Sequence, residues 1–192
     1  MSSRIICLAI LVNAMALLFA CTQSKDTAAA PTVAPANWPA APGVFSVFVT
    51  AGGSNVFTFE KWRFTKAEMP DGKVENLDLA IEISTASLTT DWKDLEKGVK
   101  SKKDYFYVSK FPIARVAIQG AQPKGDGTYT CDALLTLKGV SKTVPLTFEI
   151  SDSKPYQVKG DGMIFRSKFK FTGNGPEEEV PLNFDLTLPI CP

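Results

Sequence analysis

The chain has 192 residues and a formal net charge of +1, with 21 Lys and Arg against 20 Asp and Glu. This balance offers no attraction for a polyanion, so we predict no nucleic-acid partner. The chain contains no histidine, which excludes Ser-His-Asp and Cys-His catalysis and imidazole-based metal sites. We therefore predict that the protein is not an enzyme and has no catalytic residue, no cofactor and no metal site.

The first 20 residues have the pattern of a signal peptide. One arginine precedes an apolar run that is too short, at 1.5 Å per residue, to cross a hydrocarbon core of about 30 Å. The run ends at Leu18-Phe19-Ala20-Cys21, which resembles the bacterial lipobox. We therefore predict lipidation at Cys21, which gives an N-terminal lipid anchor on the periplasm-facing side of the cell envelope. Thr22 after the cysteine favours the outer membrane. The alternatives are an ordinary secretory signal and an uncleaved short anchor.

Residues 21–43 are rich in Ala and Pro and show no hydrophobic periodicity. Because proline removes backbone donors and fixes φ, no sheet or long helix is expected here. We predict a tether at 21–43 and a single domain at 44–192, a length that supports a hydrophobic core.

Two cysteines, Cys131 and Cys191, lie in the predicted domain. Disulfides persist in an oxidising compartment, so we predict a Cys131–Cys191 disulfide. The alternative is one buried strand cysteine and one free thiol near the C-terminus.

The domain is predicted to be built of strands, because alternating apolar residues recur between turn signals. The predicted strands are Val44–Thr50, Val56–Phe64, Leu77–Ser84, Ala114–Gln119, Thr128–Leu137, Val144–Ile150, Gln157–Phe171 (one long strand or two short ones) and Val180–Leu188. The tetrapeptide KGDG occurs at 124–127 and 159–162 and has the chemistry of a hairpin turn at both places.

One stretch between these strands predicts a short helix, from Thr90 or Asp91 to about Lys100. Trp92, Leu95 and Val99 would share one helical face. Eight strands in a domain of this size need closure or a second sheet to remove their edges. We therefore expect an all-β fold: a closed, antiparallel, eight-stranded barrel with one short helix near an opening.

Four segments of the domain occur in an order that resembles the YceI-like family of periplasmic and secreted lipid-binding proteins. They are IEISTASLTT (81–90), KSKKDYFYVSKFPIARVAI (100–118), LLTLKGVSKTVPLTFEI (134–150) and FRSKFKF (165–171). The resemblance implies a lipocalin-like barrel with an elongated apolar cavity, and family members are associated with long isoprenoid chains. The family's frequent Arg-Asp-x-His-Leu helix segment corresponds here to Leu95–Val99, which lacks it.

The resemblance, together with the aromatic content of the domain, predicts an isoprenoid-type lipid as partner, held in the barrel by a carrier or sequesterer. The predicted ligand-binding residues are Phe57, Phe59, Trp62, Phe106, Phe111, Val116, Ile118, Leu135, Leu137, Leu146, Phe148, Phe165, Arg166 and Phe169. Arg166 is either a cation inside the barrel or a rim arginine paired with a carboxylate. The alternative function is that of an envelope interaction protein whose barrel is filled by its own side chains. A homodimer is left open.

Overall fold

A computed structural model of the chain describes residues 37–50, 54–174 and 178–190. The predicted signal peptide, Cys21 and Cys191 lie outside these residues. The described part contains eleven strands: β1 Gly43–Thr50, β2 Ser54–Phe59, β3 Trp62–Glu68, β4 Asp78–Ser84, β5 Leu88–Thr89, β6 Ile113–Gln119, β7 Gln122–Pro123, β8 Thr128–Leu137, β9 Val140–Ile150, β10 Gln157–Phe165 and β11 Glu179–Thr187. Its α-helix, α1, is Lys93–Ser101.

The strands form one curled antiparallel half-barrel of the lipocalin-like type. Ten strands follow one path in the order β3-β4-β6-β8-β9-β10-β11-β1-β2-β5, and β7 pairs with β8 beside this path. In the described residues no backbone pairing joins β3 to β2 or to β5. The prediction of an all-β fold with one short helix is confirmed, but the prediction of a closed, eight-stranded barrel is wrong in both closure and strand number.

The opening arises at the corner between β2 and β3. The predicted strand Val56–Phe64 is broken there, since Glu60 N donates to Ser87 O at 3.3 Å and Lys61 N donates to Ser87 Oγ at 3.0 Å. These bonds turn the chain away from β2. The outer edge of β2 then pairs with the two-residue strand β5 instead of with β3. A strand as short as β5 has no alternation that a sequence pattern can show.

The inward faces of the long strands are those that the alternation predicts. In β4, Leu79, Ile81 and Ile83 are buried, and in β8 the residues from Cys131 to Leu137 alternate between buried and exposed or half-buried. In β9, Val144, Leu146 and Phe148 are buried. The inward side chains of successive strands join into one hydrophobic core inside the curl.

The two KGDG segments adopt different structures. The segment at 124–127 forms the predicted turn between β7 and β8, where Lys124 N donates to Thr128 O at 2.9 Å. The segment at 159–162 lies inside β10, so the turn predicted there is wrong. A Cβ atom at Gly160 would lie 2.4 Å from Thr147 O and 2.5 Å from the Phe184 ring. Glycine is therefore required at Gly160 for close packing and not for a turn.

The last described residues of the predicted tether pack against the sheet. The Arg63 guanidinium lies 5.5 Å from the centroid of the Trp38 ring, and Pro42 O accepts a hydrogen bond of 3.0 Å from Thr187 N. The packed domain therefore begins before residue 44.

Candidate ligand-binding cavity

The half-barrel encloses an apolar cavity of about 160 Å³ on its inner side. Seven strands, α1 and two loops contribute to its wall. The lining residues are Phe45, Val47, Phe57, Phe59, Ile83, Leu95, Val99, Tyr105, Phe106, Ala114, Val116, Leu135, Leu137, Ile164, Arg166, Phe171, Asn174, Glu179, Val180 and Leu182. The polar members come from the loops and from the start of β11. We call the end of the cavity where Arg166, Asn174 and Glu179 lie its mouth.

Aromatic rings run along one side of the cavity to the mouth. The ring centroids of Phe59 and Phe106 are 5.8 Å apart, and those of Phe106 and Phe171 are 5.0 Å apart, both in edge-to-face geometry. Edge-to-face pairs of this kind are favourable because ring edges and ring faces carry opposite partial charge. The mouth is therefore bordered by rings that also contact one another.

Helix α1 covers part of the cavity with Leu95 and Val99. These two residues are one turn apart and face the interior, while Glu96 on the other side binds Lys93 at 3.0 Å and Lys100 at 2.7 Å. The two lysines, chiefly through their hydrogen bonds, lower the pKa of the Glu96 carboxyl to about 2. The prediction that Trp92 shares one helical face with Leu95 and Val99 is wrong: Trp92 precedes the first helical residue and is 54% exposed.

Arg166 is the basic residue of the cavity wall. It follows β10 directly and has helical backbone angles (φ −56°, ψ −46°), so the predicted strand that continues to Phe171 is wrong. At this turn Arg166 N donates to Glu178 O and Ser167 N donates to Glu178 Oε1, both at 2.9 Å, and Glu178 directly precedes β11. The side chain of Arg166 is half-buried, and its Nη2 donates to Gly173 O. This hydrogen bond ties the Arg166 side chain to the loop that follows β10 at the mouth of the cavity.

Seven of the fourteen predicted ligand-binding residues lie in the cavity wall: Phe57, Phe59, Phe106, Val116, Leu135, Leu137 and Arg166. The structure places the others away from it. Trp62, Ile118, Leu146, Phe148 and Phe169 are buried in the surrounding core, and Phe111 and Phe165 are half-buried beyond the wall. Trp62, for example, packs edge-to-face on Phe45 at 4.8 Å and fills the space behind it.

Several wall residues were absent from the predicted set. Phe45 and Val47 in β1, and Val180 and Leu182 in β11, alternate in the same way as the predicted ligand-binding residues. The period-2 pattern would therefore have found these four residues. Tyr105 and Asn174 lie in loops and carry no such signal.

The predicted disulfide is not shown. Within the described residues Cys131 is a buried thiol in β8 with no disulfide partner, and Cys191 lies outside these residues. Burial raises the pKa of the Cys131 thiol to about 11, with a smaller contribution from Asp132. In the part of the chain that the structure describes, we find no helix that is both long and apolar enough to cross a membrane.

A curled antiparallel sheet around an apolar cavity with a polar mouth defines a protein of the lipocalin-like half-barrel class. Residues 45–188 match the family model described as YceI-like domain, and the chain belongs to that family. The segments that suggested the family from sequence all lie within this range.

Individual relatives agree with this assignment. The chain is 28% identical over 137 residues to a UPF0312 protein of Pseudomonas syringae pv. tomato, a match that covers 68% of this chain and 70% of the relative. The crystal structure of Burkholderia cenocepacia BcnA superposes with a TM-score of 0.66 at 23% identity, covering 75% of this chain and 94% of that one. A polyisoprenoid binding domain from Saccharophagus degradans superposes with a TM-score of 0.59 at 11% identity, covering 79% and 97%. These two structures show the fold.

Proposed function

We propose that this protein binds an amphiphilic isoprenoid-type lipid in the cavity of its half-barrel and acts as a carrier or sequesterer. The observation that carries the proposal is the cavity itself, whose wall is made almost entirely of apolar side chains while its polar residues gather at one end. A long apolar chain with a small polar end matches this distribution, since each end of the ligand meets groups of its own polarity. The polyisoprenoid binding described for the Saccharophagus degradans domain of similar fold supports the same ligand class.

The size of the cavity limits how such a lipid binds. At about 160 Å³ the cavity is smaller than the roughly 300–1,000 Å³ usual for ligand sites. A long chain therefore fits only if wall side chains move, and the rings of Phe106 and Phe171 are placed at the mouth where such movement admits a ligand. An internal cavity also favours ligand binding over the alternative of an interaction protein with a filled barrel. No covalent step is part of the proposal.

We further propose that the domain is held at the cell envelope through lipid on Cys21, facing the periplasm and most simply at the outer membrane. The support is the lipobox-like Leu18–Cys21 segment and the Ala- and Pro-rich segment that follows it. Stable anchoring takes at least two acyl chains, and the processed lipobox cysteine of bacterial lipoproteins carries three. A carrier attached in this way remains beside the bilayer that supplies its ligand.

Mass spectrometry of protein purified from its native envelope tests both parts. Organic extraction of the folded protein is expected to release an isoprenoid lipid in near-stoichiometric amount, and the intact mass is expected to begin at an acylated Cys21. An acylated protein from which no lipid is extracted would contradict the binding proposal and leave the anchor proposal standing.

A pair of variants on strand β6 makes the test specific to the cavity. Ala114 lines the cavity and is buried, whereas Ala117 is half-buried on the opposite face of the same strand. Ala114→Phe adds roughly 100 Å³ of side chain to a space of about 160 Å³ and is expected to abolish lipid recovery. Ala117→Phe makes the same chemical change outside the cavity and is expected to retain the lipid. Equal recovery from two folded variants would place the lipid elsewhere.

A further inference from the structure

Two loops meet over the mouth of the cavity. We call residues 102–112 the first mouth loop and residues 166–174 the second. Thr172 N and Gly173 N both donate to Asp104 O, at 3.1 and 3.2 Å, and the Tyr105 hydroxyl donates to Asn174 O at 2.7 Å. Each loop also contributes one ring of the edge-to-face pair at the mouth. The two loops therefore form one cover made of two separate parts of the chain.

A buried lysine from a third element binds both loops. Lys138 lies in the two-residue turn between β8 and β9, and its side chain points under the cover. Its Nζ donates to Lys103 O of the first mouth loop at 3.0 Å and to Lys170 O of the second at 2.6 Å. The same ammonium lies 4.8 Å from the centroid of the Phe171 ring. One positive group thus contacts both loops and one of the rings that border the cavity.

Two features show that a lysine at position 138 is unfavourable for folding, namely its burial and its backbone conformation. Lys138 is only 8% exposed, and burial lowers the pKa of its ammonium, an effect that nearby Asp104 partly opposes. Among the described residues no carboxylate lies within 4.0 Å of the ammonium. Lys138 also has φ +52°, at a turn position where Asn, Asp or Gly is favoured. A lysine at this position is hard to explain by turn formation or by simple packing.

The carbonyl groups that Lys138 binds explain its presence. Lys170 is the left-handed residue that ends the 3-10 turn Ser167–Phe169, and carbonyl groups at such ends lack partners within the helix. An ammonium group supplies a charge-assisted donor to each of two carbonyls at once, which a shorter neutral side chain does not reach. The neighbouring turn residue Gly139 also packs closely against the first mouth loop, since a Cβ atom there would lie 3.2 Å from the Phe111 ring.

We propose that Lys138 is a positioning residue that fastens the two mouth loops over the cavity, and so sets how fast a ligand enters and leaves. The fastening itself follows from the contacts of the described residues. The effect on ligand exchange rests on the function proposed above. Because Lys138 lies outside the cavity wall, its removal is expected to change the rates of entry and release more than the affinity.

The first experiment measures the fastening without any ligand. Hydrogen exchange is followed in the lipid-free, full-length protein and in Lys138→Met, which keeps the length of the side chain and removes its donors. The amides of Thr172, Gly173 and Phe106 are expected to exchange about 10- to 100-fold faster in the variant, while those of β8 and β9 keep their rates. Unchanged exchange at the mouth amides overturns the proposal.

Lys142→Met is the matched control. Lys142 lies four residues further along the same hairpin, is exposed, and has no ion pair within the described residues. Lys142→Met removes the same charge as Lys138→Met, and the mouth amides are expected to exchange at the wild-type rate in this variant. Equal acceleration in both variants would mean that net charge, and not fastening, controls the loops, and would also overturn the proposal.

If Lys138→Met does not fold, lysine acetylation of the wild-type protein decides the question. The Lys138 ammonium is expected to react at least tenfold more slowly than that of Lys142. Its acetylation rate is expected to follow the hydrogen-exchange rate of the Thr172 amide. Reaction of Lys138 as fast as Lys142 shows that the ammonium is not held between the loops.

The second experiment uses retinol, a fluorescent isoprenoid alcohol, as the probe. Lys138→Met is expected to raise both the association and the dissociation rate about tenfold and to keep Kd within about threefold. A raised Kd with an unchanged association rate would indicate general damage to the cavity and would refute this role. If retinol binds neither protein while the mouth amides respond as expected, the proposed function fails and the fastening by Lys138 stands.

Discussion

Substitution of Gly160 by alanine tests the packing of the sheet behind the cavity. Gly160 lies in the middle of β10, opposite Phe148 on β9 and Phe184 on β11. A Cβ atom there would lie 2.4 Å from Thr147 O, 2.5 Å from the Phe184 ring and 2.6 Å from Phe148 Cβ. Two of these atoms belong to the backbone or lie next to it, so the strands themselves would have to separate.

The magnitude follows from these contacts. Overpacking in a core costs about 1–3 kcal/mol, and contacts this short belong at the upper end of that range. Alanine has less conformational freedom than glycine in the unfolded chain, and this difference stabilises the folded state by roughly 0.5–1 kcal/mol, which offsets part of the cost. We therefore expect Gly160→Ala to lower the free energy of unfolding by about 2 kcal/mol. With a urea dependence of about 2 kcal/mol per molar, the midpoint falls by about 1 M.

Gly98→Ala is the control for this measurement. Gly98 lies inside α1, and the nearest atom to an added Cβ is the flexible Lys102 Cε at 3.9 Å. Alanine is favoured over glycine in a helix by about 1 kcal/mol, so the urea midpoint is expected to rise by up to about 0.5 M. The reasoning is refuted if both variants shift the midpoint in the same direction, or if Gly160→Ala lowers it by less than about 0.3 M.

Two further predictions concern titratable side chains. The folded pKa of Glu96 is about 2 against an ordinary value of 4.5, so its contribution to stability is complete above pH 4.5 and is lost as the pH falls towards 2. In acid unfolding curves, the difference in the free energy of unfolding between the wild type and Glu96→Gln is expected to shrink as the pH falls from 4.5 towards 2. A difference that does not change with pH would contradict the pairing of Glu96 with Lys93 and Lys100. The Cys131 thiol, with its pKa raised to about 11 by burial, is expected to resist iodoacetamide at pH 8 in a folded Cys191→Ser variant and to react once urea is added. Rapid alkylation of the native variant would show that β8 is open to solvent, and a non-reducing peptide map of the unsubstituted protein decides whether Cys131 is bonded to Cys191.

The sequence predicted those features that depend on neighbours along one strand. The alternation of Leu79, Ile81 and Ile83 places their side chains on one face whatever the sheet does elsewhere, and burial of that face follows. The sequence KGDG shows the limit of such local signals. It forms a turn at 124–127 and part of a central strand at 159–162, because at the second place Phe148 and Phe184 from two other strands exclude a side chain.

The sequence by itself therefore determined the all-β class, the family and the inward faces of the long strands, since each depends on residue types at fixed local spacing. Only the tertiary structure decided which inward residues border the cavity and which, like Trp62, fill the core behind it. It also decided that the barrel stays open between β3 and β5, and that Lys138 meets Lys103 and Lys170 across 35 and 32 residues of chain. These features depend on contacts between segments that are far apart in the chain, and the spacing of residues within one segment carries no information about such contacts.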